Sequence, residues 1–222
     1  YKVLLPKNYA PSKKYPAVLV FLVNGNNPEI MINWAKSLEL DSVIFIAPEA
    51  PYVRLVESMA MQWERYSASG EGLGFPDSLM PDVVDASAAW YHDTFLDAAS
   101  RFPIDTGRHI LIGFSQGGFY SYVLGSRYPQ SFKGVVSICA SMYDYGHLDQ
   151  TISAFKLHDV GVMLTHGTND KVVPFSVAEG IAKKLVSAGV VHLFRPFDGA
   201  HWPTKEISKE IRTWVLARQS QR

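Results

Sequence analysis

The chain has 222 residues, with 21 Lys and Arg balanced by 21 Asp and Glu, so it carries no net field of the kind that draws nucleic acid or an acidic membrane surface. That length is long for one domain and short for two, and its alternating apolar and amphipathic stretches favour a single domain over 1–222 whose core needs no staples. The single cysteine, Cys139, excludes an internal disulfide and argues against a metal cluster; at the end of an apolar run it reads as a buried small hydrophobe. No apolar run reaches the length of a membrane span and no charged-then-apolar leader is present in these 222 residues, so a soluble chain is expected, with a cytoplasmic setting slightly favoured and a trimmed export signal left open.

Taken in order, residues 1–6 read as an edge-like strand and 8–14 (N-Y-A-P-S-K-K) as a polar turn. The continuous apolar run P-A-V-L-V-F-L-V at 16–23 suits a strand covered on both faces, and it stops at N-G-N-N-P, 24–28. A helix over 29–38 and a second buried strand over 42–48 give the strand, helix, strand rhythm of a parallel sheet. Residues 49–81 break that rhythm, with Met59, Met61, Met80, Trp63 and a Gly-rich run over 69–76. A loop insertion of this length, 50–81, is placed to act as a small lid. An amphipathic helix follows over 83–101, with Val84, Ala88, Tyr91 and Phe95 on one face.

The stretch 110–120, I-L-I-G-F-S-Q-G-G-F-Y, is an apolar strand that ends in G-F-S-Q-G and runs into helical periodicity. G-x-S-x-G marks a sharp strand-to-helix turn that holds its serine in a strained conformation, and only glycine leaves room two residues either side. Beyond it come a strand over 134–139, a loop over 140–148 with Met142, Tyr143 and Tyr145, and a strand over 160–166 that leaves through G-T-N-D. A helix over 176–188, a strand over 190–195, the run D-G-A-H-W at 198–202 and a terminal helix over 204–218 complete the chain.

A serine hydroxyl at neutral pH needs a base within hydrogen-bond reach, and that base needs a carboxylate behind it. Of the seven histidines, His109 sits at the far end of the serine's own strand, His92 lies on a helix, and His147, His158 and His192 lie away from the useful edge. His166 ends a strand at that edge, but its H-G-T-N-D setting reads as a turn. His201, on the loop after the last strand, is the expected base, and Asp170, leaving the strand that ends at His166, the expected acid; Asp144, Asp149 and Asp198 are weaker rivals. The order Ser115, Asp170, His201 is that of the α/β-hydrolases.

Four motifs in register, P-A-V-L-V-F-L at 16–22, P-I-D through G-F-S-Q-G-G at 103–118, H-G-T-N-D-K-V-V-P at 166–174 and G-A-H-W at 199–202, make nearly the whole chain resemble the α/β-hydrolase superfamily. The resemblance is to its phospholipase/carboxylesterase group of small serine esterases, which includes acyl-protein thioesterases and some feruloyl and polyester depolymerases. It implies a mostly parallel sheet of about seven or eight strands flanked by helices, and a Ser115, His201, Asp170 triad. It also implies cofactor-free hydrolysis of a small-molecule ester or thioester through an acyl-enzyme, with no metal and no nucleic-acid partner. Relatives usually carry His-Gly after the strand that here ends at Val23, whereas this chain has Asn24-Gly25. Two N–H donors are needed for the oxyanion: Gln116, after the nucleophile, is expected to supply one, and since Pro28 has no N–H the other must come from Gly25, Asn26 or Asn27, of which position favours Asn26. Loops 50–81, 140–148 and 171–175 bring Met59, Met61, Phe75 and Val172 toward the serine. With them come Trp63, Met142, Tyr143 and Val173, the expected substrate contacts, and together they suit an apolar or aromatic acyl group. A peptidase on the same scaffold, and a non-catalytic binding protein with an altered oxyanion loop, are the competing readings.

Overall fold

Side chains leave each central strand toward two separate cores. In the computed structural model of the chain, Ala17, Leu19 and Phe21 of β2 (Ala17–Phe21) face one core while Val18 and Val20 face the other. Leu111 parts in the same way from Ile110, Ile112 and Phe114 of β6 (His109–Phe114). That two-residue alternation within unbroken apolar runs is what a strand buried on both faces requires. The structure describes residues 1–21, 27–58, 61–67, 75–105, 107, 109–140, 142–143 and 147–220, with backbone alone for 53–58 and 61–67.

Seven strands form the main sheet in the order β1-β3-β2-β6-β7-β8-β9, where β1 is Lys2–Leu4, β3 Ile44–Ala47, β7 Phe132–Ile138, β8 Gly161–Gly167 and β9 His192–Phe197. Only β1 runs antiparallel, against β3 at the edge; the other pairs are parallel. The helices α2 (Met80–Arg101), α3 (Gln116–Arg127), α4 (Leu148–His158) and α5 (Phe175–Ala188) pack on the first core. The second is covered by α1 (Pro28–Lys36) and α6 (Lys205–Ser220). Among the described residues no helix is long and apolar enough to cross a membrane.

The connections matter more for function than the strand count. From β2 the chain moves outward to β3, and it returns to place β6 on the other side of β2. The carboxyl ends of β2 and β6, paired as far as Phe21 and Gly113, therefore flank the point where the winding reverses, which is where open α/β sheets bind ligands.

Three stretches depart from the expected elements. Within 50–81 the chain forms an antiparallel hairpin, β4 (Tyr52–Ser58) with β5 (Met61–Ser67), as a separate two-stranded sheet. The strands are separated by Met59-Ala60, which lacks the Asn-Gly or Gly-X signature of a tight hairpin. Helix α4 has no counterpart in the sequence reading. It buries only Thr151, Ile152 and Phe155, has no side-chain cap, and is bounded by His147 and Asp159 in the left-handed region at φ 49° and 51°. Neither a wide apolar stripe nor a cap residue announced it. Strand β9 also runs two residues later than expected and includes Pro196, which an edge strand tolerates.

Candidate active site

Ser115 lies between the end of β6 and the start of α3 with φ 55° and ψ −119°, a conformation L-residues avoid unless their surroundings impose it. Those surroundings are visible. A Cβ at Gly113 would lie 2.0 Å from the Gly117 carbonyl oxygen, and one at Gly118 would lie 2.6 Å from Ala140 Cβ, so the turn can be this tight only with glycine at both sites. The Ser115 N–H donates to Ile138 O at 2.9 Å, tying the elbow to β7, and the Gly118 N–H donates to Ser115 O at 3.0 Å. Gln116, the expected oxyanion donor, is the first residue of α3 and is buried; the N–H groups of a first helical turn point out of the helix end. Asn26, the other expected donor, lies outside the described residues. Its neighbour Asn27 caps α1 by accepting the Glu29 N–H at 3.1 Å, with Pro28 at the first position.

Asp170 and His201, the expected acid and base, leave adjacent strands and are fastened to each other. Past β8 the turn closes with the Asp170 N–H on Gly167 O, and past β9 the loop accepts from it: Thr168 N–H donates to Phe197 O and Asn169 N–H to Gly199 O, both at 2.9 Å. Asn169 Nδ2 also donates to Asp198 Oδ1, so Asp198 belongs to the loop's frame. Gly167 is necessary here, because a Cβ would lie 2.2 Å from Ala200 O. Held this way, His201 Nδ1 lies 2.6 Å from Asp170 Oδ2, while Oδ1 accepts the N–H groups of Val172 and Val173 at 2.8 and 2.9 Å. Burial works to raise the Asp170 carboxyl, but the His201 ring N–H and the Val173 and Val172 N–H groups outweigh it and hold the group below its ordinary value. An ionised Asp170 can only accept, so Nδ1 of His201 carries the proton and Nε2 is the ring nitrogen left to act as a base. The His201 ring packs 4.8 Å from Phe114, the residue before Ser115, and Trp202 packs edge-on against the Phe114 ring at 4.9 Å.

Other expectations resolve differently. Asp149, a rival acid, is paired with Lys184 on the surface, and Asp144 lies outside the described residues. His109 accepts the Ala17 N–H at 3.1 Å and is buried at the far end of β6. Val173 is buried, and its backbone, through the N–H to Asp170, supports the acid. Val172 is exposed. Met142 and Tyr143 are partly buried after β7, with Tyr143 edge-on to Phe119 at 4.9 Å. With His147, Leu148 and Lys184 they line a cavity of ≈ 450 Å³. Trp63 stands opposite Val56 in the hairpin, and its side chain lies outside the description.

Sequence reasoning passed over His166. The structure buries it completely, with Nε2 2.9 Å from Val173 O and 3.2 Å from Asp170 Oδ2. Its place four residues before the acid, at a strand's carboxyl end, was the available signal. Cys139, His166 and Asp170 bring ligand-type atoms within 4.8 Å of one another. The set does not suit a metal, since the Asp170 oxygens and His166 Nε2 are engaged in hydrogen bonds and burial pushes the Cys139 thiol up to about 12.

A strained serine elbow and a carboxylate-held histidine at one edge of a mostly parallel sheet define a serine hydrolase of the α/β-hydrolase class. The chain belongs to the phospholipase/carboxylesterase family, whose sequence profile matches residues 8–215. It is similar to acyl-protein thioesterase 1 of Gibberella zeae, 24% identical over 193 residues that cover 82% of this chain and 80% of that protein. It is also similar to a probable feruloyl esterase C of Aspergillus clavatus, 27% identical over 84% of this chain and 60% of that one. Among solved structures, esterase PE8 superposes with a TM-score of 0.77 over 97% of both chains at 18% identity. The protein is accordingly a carboxylesterase-type serine hydrolase of ester or thioester bonds.

Proposed function

We propose that Ser115, His201 and Asp170 are the catalytic triad of a cofactor-free esterase that takes a small ester or thioester with an apolar or aromatic acyl group. The observation that carries this is the 2.6 Å bond from His201 Nδ1 to Asp170, made beside the strained Ser115 elbow. Ser115 Oγ attacks the substrate carbonyl as its proton passes to His201 Nε2, and Asp170 stabilises the imidazolium without itself being protonated. The oxyanion is held by the backbone N–H groups of Gln116 and Asn26. The leaving alcohol or thiol takes the proton back from Nε2, and a water activated by the same nitrogen attacks the acyl-enzyme, releases the acid and restores Ser115.

The acyl preference rests on the partly buried Met142 and Tyr143 after β7, the Tyr143 ring lying edge-on to Phe119 in the first turn of α3. Segment 50–81 is the candidate lid in this reading, with Trp63 as a further contact. Short p-nitrophenyl esters should release nitrophenol with a burst, and Ser115→Ala should lower kcat by up to about 10⁶. A Ser115→Ala variant that turns over at the parent rate would refute the assignment. Tyr143→Ala should raise KM for an aromatic acyl ester by about tenfold while leaving acetate esters near the parent value; equal effects on both would remove Tyr143 from the acyl site.

A further inference from the structure

Asp170 is enclosed by side chains from the ends of three successive strands: Cys139 after β7, His166 in β8 and His201 after β9. His166 is the one whose presence needs explaining. It is fully buried, its ring lies edge-on to Phe175 at 6.0 Å, and its Nδ1 has no hydrogen-bond partner among the described residues. A buried nitrogen without a partner costs stability, and an apolar ring of similar shape would avoid that cost. What the imidazole supplies instead is its other nitrogen. Nε2 faces two acceptors, Val173 O at 2.9 Å and Asp170 Oδ2 at 3.2 Å, so Nε2 carries the ring proton. Through Val173 O that N–H braces the 170–173 turn, whose own N–H groups hold Oδ1, and the ring nitrogen sits 3.2 Å from Oδ2, the oxygen that receives His201.

We propose that His166 is a positioning residue for catalysis: its Nε2–H, bonded to Val173 O, braces the turn that holds the Asp170 carboxylate, and with Nε2 3.2 Å from the Oδ2 that receives His201 it sets both the aim and the strength of the acid–base pair. This rests on the triad reading above. The titratable groups around the carboxylate are His201, His166 and Cys139, with the exposed Lys171 next in the chain. The thiol is pushed up to about 12 and stays neutral throughout the working range.

The test compares His166→Phe, which keeps an aromatic ring and removes the donor, with His166→Gln, whose amide nitrogen restores a donor near the Nε2 position. His166→Phe should lower kcat by about 10- to 100-fold with KM little changed, because the base is less well aimed. It should also move the acid limb of the kcat/KM pH profile upward, because a carboxylate that has lost the nearby ring N–H favours the imidazolium more strongly. His166→Gln should recover most of both. Imidazole nitrogen NMR on the parent protein should report the Nε2–H tautomer for His166. The downfield His201 Nδ1 proton should be displaced in His166→Phe and restored in His166→Gln. A folded His166→Phe with a parent-like acid limb and an unmoved His201 resonance, or an Nδ1–H tautomer at His166 in the parent, would overturn the proposal. The NMR readouts need no turnover, so they decide the role of His166 even if Ser115 were not the nucleophile, which active-site labelling tests separately.

Discussion

Asp170 accepts N–H groups at both oxygens, from Val172 and Val173 at Oδ1 and from His201 at Oδ2, and each of them favours the charged form. Asp170→Asn keeps the shape but allows the wrong imidazole tautomer, and should lower kcat by about 10⁴ while the fold persists. The same residue couples folding to pH. Its native value lies below the ordinary 3.8, so its contribution to stability is full above that value and is lost as pH falls through the native one. Urea midpoints measured from pH 6 downward should show the advantage of the parent over Asp170→Asn shrinking below about pH 4; a constant difference would mean that the carboxylate is not held low. At the elbow, Gly113→Ala forces a Cβ onto the Gly117 carbonyl and should cost about 3 kcal/mol or more in the same assay. The candidate residues could be picked out because each is tied to a sequence position: a serine between glycines, and an aspartate and a histidine on strand-exit loops in a fixed order. His166 was legible only in part: its place four residues before Asp170 could be read, but not the Val173 carbonyl and the Asp170 oxygen that folding brings to Nε2.

Among the elements, the buried parallel strands could be read directly, because a run such as 16–23 admits few other structures. Helix α4 and the β4–β5 hairpin could not, for opposite reasons: the helix lacks a cap and a wide apolar face, and the hairpin lacks turn residues at its tip. Helix α6 was expected from its periodicity, but not the clamp at its end. Arg218 is buried; its Nε donates to Lys133 O at 2.8 Å, its Nη2 donates to Asp159 O, and its side chain passes over Gly161. One side chain thus joins α6 to the entries of β7 and β8. Arg218→Ala would leave those carbonyls without their charged donor, at a cost of about 2 to 3 kcal/mol. Faster amide exchange in the last turns of α6, with the exchange of β6 unchanged, would be its local signature; unaltered exchange would contradict the clamp.

In the whole molecule, the winding reverses between β2 and β6, the place where open α/β sheets bind ligands, and the loops after β6, β8 and β9 leave the same edge of the sheet. The parallel, doubly covered sheet was readable from the alternation of strands and helices, whereas strand order and the fastening of the 167–170 turn to the 197–200 loop are products of long-range pairing that no local pattern encodes. The central claim is that this edge holds an activated nucleophile at Ser115. It is tested most directly by reacting the folded protein with a fluorophosphonate probe and locating the adduct by mass spectrometry, with Ser115→Ala alongside. The account predicts one adduct, on the peptide containing Ser115 and absent from the variant. A folded protein that takes no label, or takes it at another residue, would contradict it.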